Sequence, residues 1–275
     1  MINAWFGIDK NPFGLDSIAL LPQQQDVFDT LRVHSQQGGL CLLMGEPGTG
    51  KSVIKEAIRQ TADKRTVVVC INRTMHTYSN TLKILCDAFQ LDHDGMHVRC
   101  ERRLIEQAFK LNREGKALIT IIDEAHLLDI DVLRKLRLMF DEFPKNHNLI
   151  LVGQTSLLAA MCLTVNADLK SRITYSTTLL RLAPDDLERF LLAQFDAAGL
   201  GHNTFSDEAL GLVVRSSDLL SASGRRPAVL RRSRNLSLSC LLETVRARVK
   251  TVSLDIVNRV LIQPHWRNDF DLEAP

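Results

Sequence analysis

The chain has no apolar run near the roughly 18 to 20 residues that a membrane span requires, and its start, MINAWFGIDK, lacks the basic-then-apolar order of a signal peptide. Neither membrane insertion nor export is expected, and a cytoplasmic location is the expectation that follows. The cysteines Cys41, Cys70, Cys86, Cys100, Cys162 and Cys240 include no Cys-x-x-Cys pair and no histidine at zinc-finger spacing. A reducing compartment fits best, and Cys41 and Cys70 lie in apolar runs, where a small buried hydrophobe far outweighs a reactive or metal-binding thiol. Internal repeats and low-complexity linkers are absent, which argues against solenoids and disordered chains. A net charge of +2 is too small to name a partner.

What is present is ordinary in bulk and specific in detail. With 45% hydrophobic and 24% charged residues the composition is that of a soluble globular protein, and 275 residues suffice for one large α/β domain and a smaller one. An irregular lead-in over the first sixteen residues, with Trp5, Phe6 and Phe13 docking on the body, precedes a helix over 22–37 that Gly38 and Gly39 end. LCLLM (40–44), VVVCI (67–71), ALITIID (117–123) and NLILVG (148–153) are short apolar runs of the kind a buried parallel strand needs, and RITYSTTLLRL (172–182) holds a fifth. Helical spacing over 51–62, 79–90, 98–114 and 129–140 separates them, so a parallel sheet covered on both faces is expected. Beyond Pro184 only helical patterns occur, near 184–198, 206–217, 224–249 and 253–262, which sets a boundary at 183. The expected organisation is a nucleotide-binding domain over 1–183 and a helical lid over 184–275.

Gly45-Glu46-Pro47-Gly48-Thr49-Gly50-Lys51-Ser52 fits G-x-x-x-x-G-K-[ST] and lies after a strand and before a helix, the context in which that pattern binds phosphate. Glycines let the loop curl so that its N–H groups face an anion, and the helix start adds partial positive charge. Lys51 is expected at the β- and γ-phosphates of ATP, Ser52 at a magnesium ion, and Val53 beside them. The competing reading, an ordinary glycine-rich turn, requires every fixed position and both flanks to match by chance. IIDEAH adds two acids at the end of an apolar strand, a costly place for them without a cation or hydrogen bonds. Asp123 is assigned to magnesium and Glu124 to orienting the attacking water. His126 makes the string read DEAH, but further helicase motifs are missing, so it is taken as a helix-start residue near the site.

With these residues in hand, the sequence resembles the AAA+ ATPases, and within them the ExeA-like group that includes transposon helpers such as TniB, TnsC, MuB and IstB. FGIDKNPFGLD resembles that group's opening, and GEPGTGKS, IIDEAH and LILVGQTSL follow in its order. The resemblance implies a five-stranded P-loop sheet with a small helical lid. It implies a sensor residue at Gln154, with Thr155 or Ser156 as the better helix cap, and an arginine finger at Arg172 that acts only across an oligomer interface. A solvated surface arginine is the alternative for Arg172. Where the group carries a lid arginine this chain has Ala228, so Arg226 or Arg225 would have to substitute.

ExeA itself joins its ATPase to membrane and wall-binding parts, which these residues do not contain, so the chain looks like the transposon helpers. Their resemblance implies a homo-oligomer, ring or filament, that assembles with ATP on double-stranded DNA without reading its sequence and directs a transposase. By that analogy the stretch Asn72, Arg73, Thr74, Met75 and His76, together with Arg99, faces DNA; a solvated loop is the competing reading. The arginine-rich segment 225–250 is read as a lid helix with an incidental basic face. The other functional classes are a secretion or protein-remodelling ATPase working on a polypeptide, and a replication-initiator or clamp-loader-like ATPase.

Overall fold

The computed structural model describes residues 1–13, 20–72, 77–218, 229–264 and 266. Along the chain, α1 (Ile2–Phe6) and α2 (Pro22–Gln37) precede β1 (Gly39–Gly45), and α3 (Lys51–Thr61) leads to β2 (Thr66–Ile71). Helices α4 (Tyr78–Ala88) and α5 (His97–Arg113) lead to β3 (Ala117–Ile122), and α6 (Ile130–Asp141) to β4 (Asn148–Gly153). Then α7 (Thr155–Met161) and α8 (Ala167–Lys170) reach β5 (Ile173–Leu179), followed by α9 (Pro184–Ala198), α10 (Asp207–Asp218), α11 (Val229–Arg246) and α12 (Leu254–Leu261).

The described residues divide into two compact units, one of residues 22–46 and 51–179, the other of 1–21, 47–50 and 180–275. The first is a five-stranded parallel sheet in the order β2-β3-β4-β1-β5. Its three central strands are apolar at nearly every position because helices cover both faces. Alternation along each strand sends side chains to opposite faces. Leu40, Leu42 and Met44 join a core with Leu82, Leu104 and Leu136, while Ile119 and Ile150 turn toward Phe28, Leu31 and Ile58 of α2 and α3. Fully buried leucines such as Leu42 and Leu43 each contribute about 2 kcal/mol by leaving water. The edge strand β5 instead alternates exposed Thr174, Ser176 and Thr178 with half-buried residues, as a strand with one solvated face must.

Strand order also places the site. From β1 the chain crosses toward β2, whereas from β4 it crosses in the opposite direction to β5. Right-handed crossovers then carry the two connecting helices to opposite faces, and a crevice opens at the carboxyl ends of the adjacent strands β1 and β4.

In the second unit, α9 starts with Pro184 in its first turn and Asp185 and Asp186 beside it, and ends at Gly199 with φ +81°. Phe190, Phe195, Leu210, Val213, Leu236 and Val257 form its core. The lead-in differs from the expectation drawn from sequence: residues 2–6 are helical, and the described residues of 1–21 group with this unit rather than with the sheet. Aromatic packing is the cause. Phe13 meets Phe195 edge-on at 5.9 Å, and Trp5 donates its indole N–H to Val249 O at 2.9 Å beneath the Lys250 ammonium. Residues 47–50 also group here, where Leu230 N–H reaches Gly48 O at 3.4 Å.

Candidate nucleotide site

β1 ends at buried Gly45, and six residues later the first turn of α3 begins at Lys51. Between them Gly48 and Gly50 adopt φ values of +80° and +100°, which side chains disfavour and which allow the tight curl that a phosphate-binding turn needs. Lys51 folds back over this turn, its Nζ donating to Gly45 O at 2.7 Å and to Glu46 O at 2.9 Å. An ammonium held at the mouth of a glycine turn, at the start of a helix, is a setting for a polyphosphate.

β3 delivers the acids. Asp123 continues the ladder by donating its N–H to Ile71 O at 2.9 Å, and it is only 8% exposed. Its Oδ1 accepts the Glu124 N–H at 2.9 Å and its Oδ2 accepts Lys55 Nζ at 2.6 Å. Lys55 stands one helical turn beyond Lys51, about 6 Å along the axis of α3, so the lysine turn and the acidic strand end are neighbours. Glu124 has a φ of +53°, a left-handed conformation that costs a non-glycine residue about 1 kcal/mol or more, and its carboxylate is 51% exposed. His126 Nδ1 lies 3.7 Å from Glu124 Oε2 within a short 3-10 turn rather than at a helix start. That turn packs on the end of β4: a Cβ on Gly153 would sit 3.2 Å from His126 N.

Gln154 follows Gly153 and is itself the N-cap of α7, with no side-chain cap bond. Thr155 and Ser156, offered as caps from sequence, already lie in the helix, because the chain turns helical directly at the strand end. The end of β4 and the acidic turn thus sit together. Arg172 is elsewhere. It immediately precedes β5, whose Ile173 pairs with Leu40 at the start of β1, so it lies about 20 Å from Gly45 along the strands. Arg172 is 56% exposed and 3.8 Å from Asp141, which Arg137 already holds at 2.8 Å. Arg99 is exposed in the first turn of α5. Arg73 and His76, and Arg225, Arg226 and Ala228, lie outside the described residues.

The donor set suits magnesium bound with a nucleotide. Among the described residues no group of three or more histidine, cysteine, aspartate or glutamate side chains could cage a metal. Magnesium does not need one, since it keeps waters and takes one or two protein ligands plus phosphate oxygens, for which Asp123 and the exposed Ser52 hydroxyl are the groups that could serve. Lys55 went unnoticed in the sequence; its signal was the four-residue spacing from Lys51, which puts both on one helix face.

Comparison with known proteins agrees with this geometry. Residues 33–161 match the family described as AAA domain. General secretion pathway protein A of Aeromonas hydrophila is 28% identical over 229 residues, covering 79% of this chain and 42% of that protein, so the chain spans less than half of its relative. Among solved structures, Cdc6p from Pyrobaculum aerophilum superposes with a TM-score of 0.72 at 16% identity, covering 92% of this chain and 70% of that one. The Aeropyrum pernix ORC1 protein in complex with DNA gives 0.69 at 17% identity, covering 92% and 69%. The fold is that of the AAA+ P-loop ATPases, a five-stranded parallel sheet flanked by helices with a helical region after it.

Proposed function

We propose that the chain hydrolyses ATP with magnesium and does so as an oligomer assembled on duplex DNA, where it directs a transposase. The observation that carries the catalytic part is the junction of α3 and β3, where the lysine turn, Asp123 and Glu124 come together at the mouth of the sheet. In this reading Lys51 meets the charge of the phosphates, Ser52 and Asp123 hold the metal, and Glu124 aligns the attacking water with Gln154 beside it. Magnesium supplies neutralisation of charge on the transferring phosphoryl group. Arg172, at the far end of β5, completes the site of a neighbouring copy rather than its own.

For DNA the support is exposed Arg99 and the likeness to an ORC1 protein whose structure contains DNA. Phosphate contacts of this kind carry no sequence preference and weaken steeply with salt. The test is electron microscopy of the purified protein with a slowly hydrolysed ATP analogue, with and without random duplex DNA. Rings or filaments that need both ligands, dissolve at raised salt and retain transposase are expected; a monomer under every condition defeats the proposal. A second reading, in which the same motor acts on a polypeptide, is favoured by the similarity to General secretion pathway protein A. It predicts turnover stimulated by a protein partner and indifferent to DNA.

A further inference from the structure

We infer that Lys55 is a resident counter-cation of the metal-binding acid, which makes magnesium uptake conditional on nucleotide; the inference rests on the assignment of Asp123 to magnesium. Both oxygens of Asp123 are engaged within the protein: Oδ1 by the Glu124 N–H at 2.9 Å and Oδ2 by Lys55 Nζ at 2.6 Å. The pair is shielded, with side chains only 14% and 12% exposed. A carboxylate so placed without a partner would be strongly destabilising, and Lys55 removes that cost.

The same ammonium stands where a divalent ion would approach. Two cations sharing one carboxylate in a partly desolvated setting repel each other, so an ion arriving alone finds the acid taken. A triphosphate changes the balance, because its negative charges offset both cations at once. Lys55 has a second acceptor at hand, since its Nζ also lies 2.6 Å from Asn72 Oδ1 at the end of β2. It can therefore yield Asp123 to the metal and remain bonded. A lysine suits this exchange because it is a compact charge on a flexible stem, whereas an arginine would clamp the carboxylate with two bonds. Lys55 is thus a positioning residue that holds Asp123 in place and admits the metal only with its nucleotide.

The experiment is a manganese titration of the intact, nucleotide-free protein, with free Mn²⁺ read by electron paramagnetic resonance. Native protein and Lys55→Arg should bind Mn²⁺ weakly, while Lys55→Met and Lys55→Gln should bind it about tenfold more tightly or better. The added affinity should vanish in Lys55→Met/Asp123→Asn, which assigns it to the acid. Two uncharged variants guard against one failing to fold, which circular dichroism reports. Equal Mn²⁺ affinity in native protein and a folded Lys55→Met overturns the inference, as does added affinity that persists without Asp123. Binding of a fluorescent ATP analogue in the presence of EDTA, compared between native protein and Lys51→Ala, tests the nucleotide site independently of any metal.

Discussion

At the carboxyl ends of the strands, Gly45, Asp123 and Gly153 are buried, and the charges near them are paired internally, Lys51 with its own loop and Lys55 with Asp123. At the amino ends a cleft of about 590 Å³ is lined by Arg137, Arg172 and Lys145 around a single acid, Asp141. The first end is organised to receive a ligand that brings its own negative charge. The second carries a surplus of positive charge on a half-exposed surface, with Arg172 reaching outward. Parallel strands separate the two ends by the length of the sheet, so in the proposed mechanism Arg172 reaches the phosphate end only through a second copy.

The sharpest way to break that contrast is Arg172→Ala. ATP affinity should hold while turnover falls about a thousandfold. Mixing Arg172→Ala with Glu124→Gln, which still binds ATP and assembles, should restore part of the phosphate release, because the second variant lends its Arg172 to an otherwise intact site of the first; no recovery on mixing would place Arg172 outside the chemistry. Next in size is Glu124→Gln, expected to lower turnover about a hundredfold with analogue binding intact and assembled complexes accumulating. Normal phosphate release from that variant would remove Glu124 from its assignment, whereas Lys51→Ala should fail earlier, at nucleotide binding.

The smallest effect belongs to the amino end and sharpens the comparison through pH. His147 is buried against Phe140 and bonds through Nε2 to Thr120 Oγ1 at 3.0 Å; burial pushes it down to about 3. Its folded value lies below the unfolded value of roughly 6.5, so the unfolded chain takes the proton first. Stability from a neutral His147 is complete above about pH 6.5 and falls by at most about 1.4 kcal/mol per unit as pH drops toward 3. In urea unfolding, His147→Phe should be less stable than the native protein at pH 7.5, with the gap closing or reversing by pH 5. A gap independent of pH would mean that His147 takes up its proton as readily in the folded as in the unfolded chain.

Sequence pattern was sufficient for the sheet because strands buried on both faces have to be apolar throughout, as ALITII and NLILV are. The phosphate turn was legible for a different reason, since φ near +80° and +100° restricts positions 48 and 50 to glycine. Partnerships that depend on distant segments left no such trace. The docking of Trp5 and Phe13 on the helical unit, the bond from Lys55 to Asp123, and the sharing of Asp141 by Arg137 and Arg172 join residues far apart or of unremarkable type. The cap of α7 was misread because Thr and Ser are the usual choices, yet the geometry of the strand end gives that position to Gln154.

The unusual backbone at Glu124 has a consequence for how this acid is aimed. Its direction is set by the chain itself, through a left-handed residue whose N–H is fastened to the neighbouring carboxylate. An aspartate would settle into that conformation more comfortably than glutamate does, yet its arm is shorter by one methylene. Ease of folding and length of reach are therefore opposed at this one position.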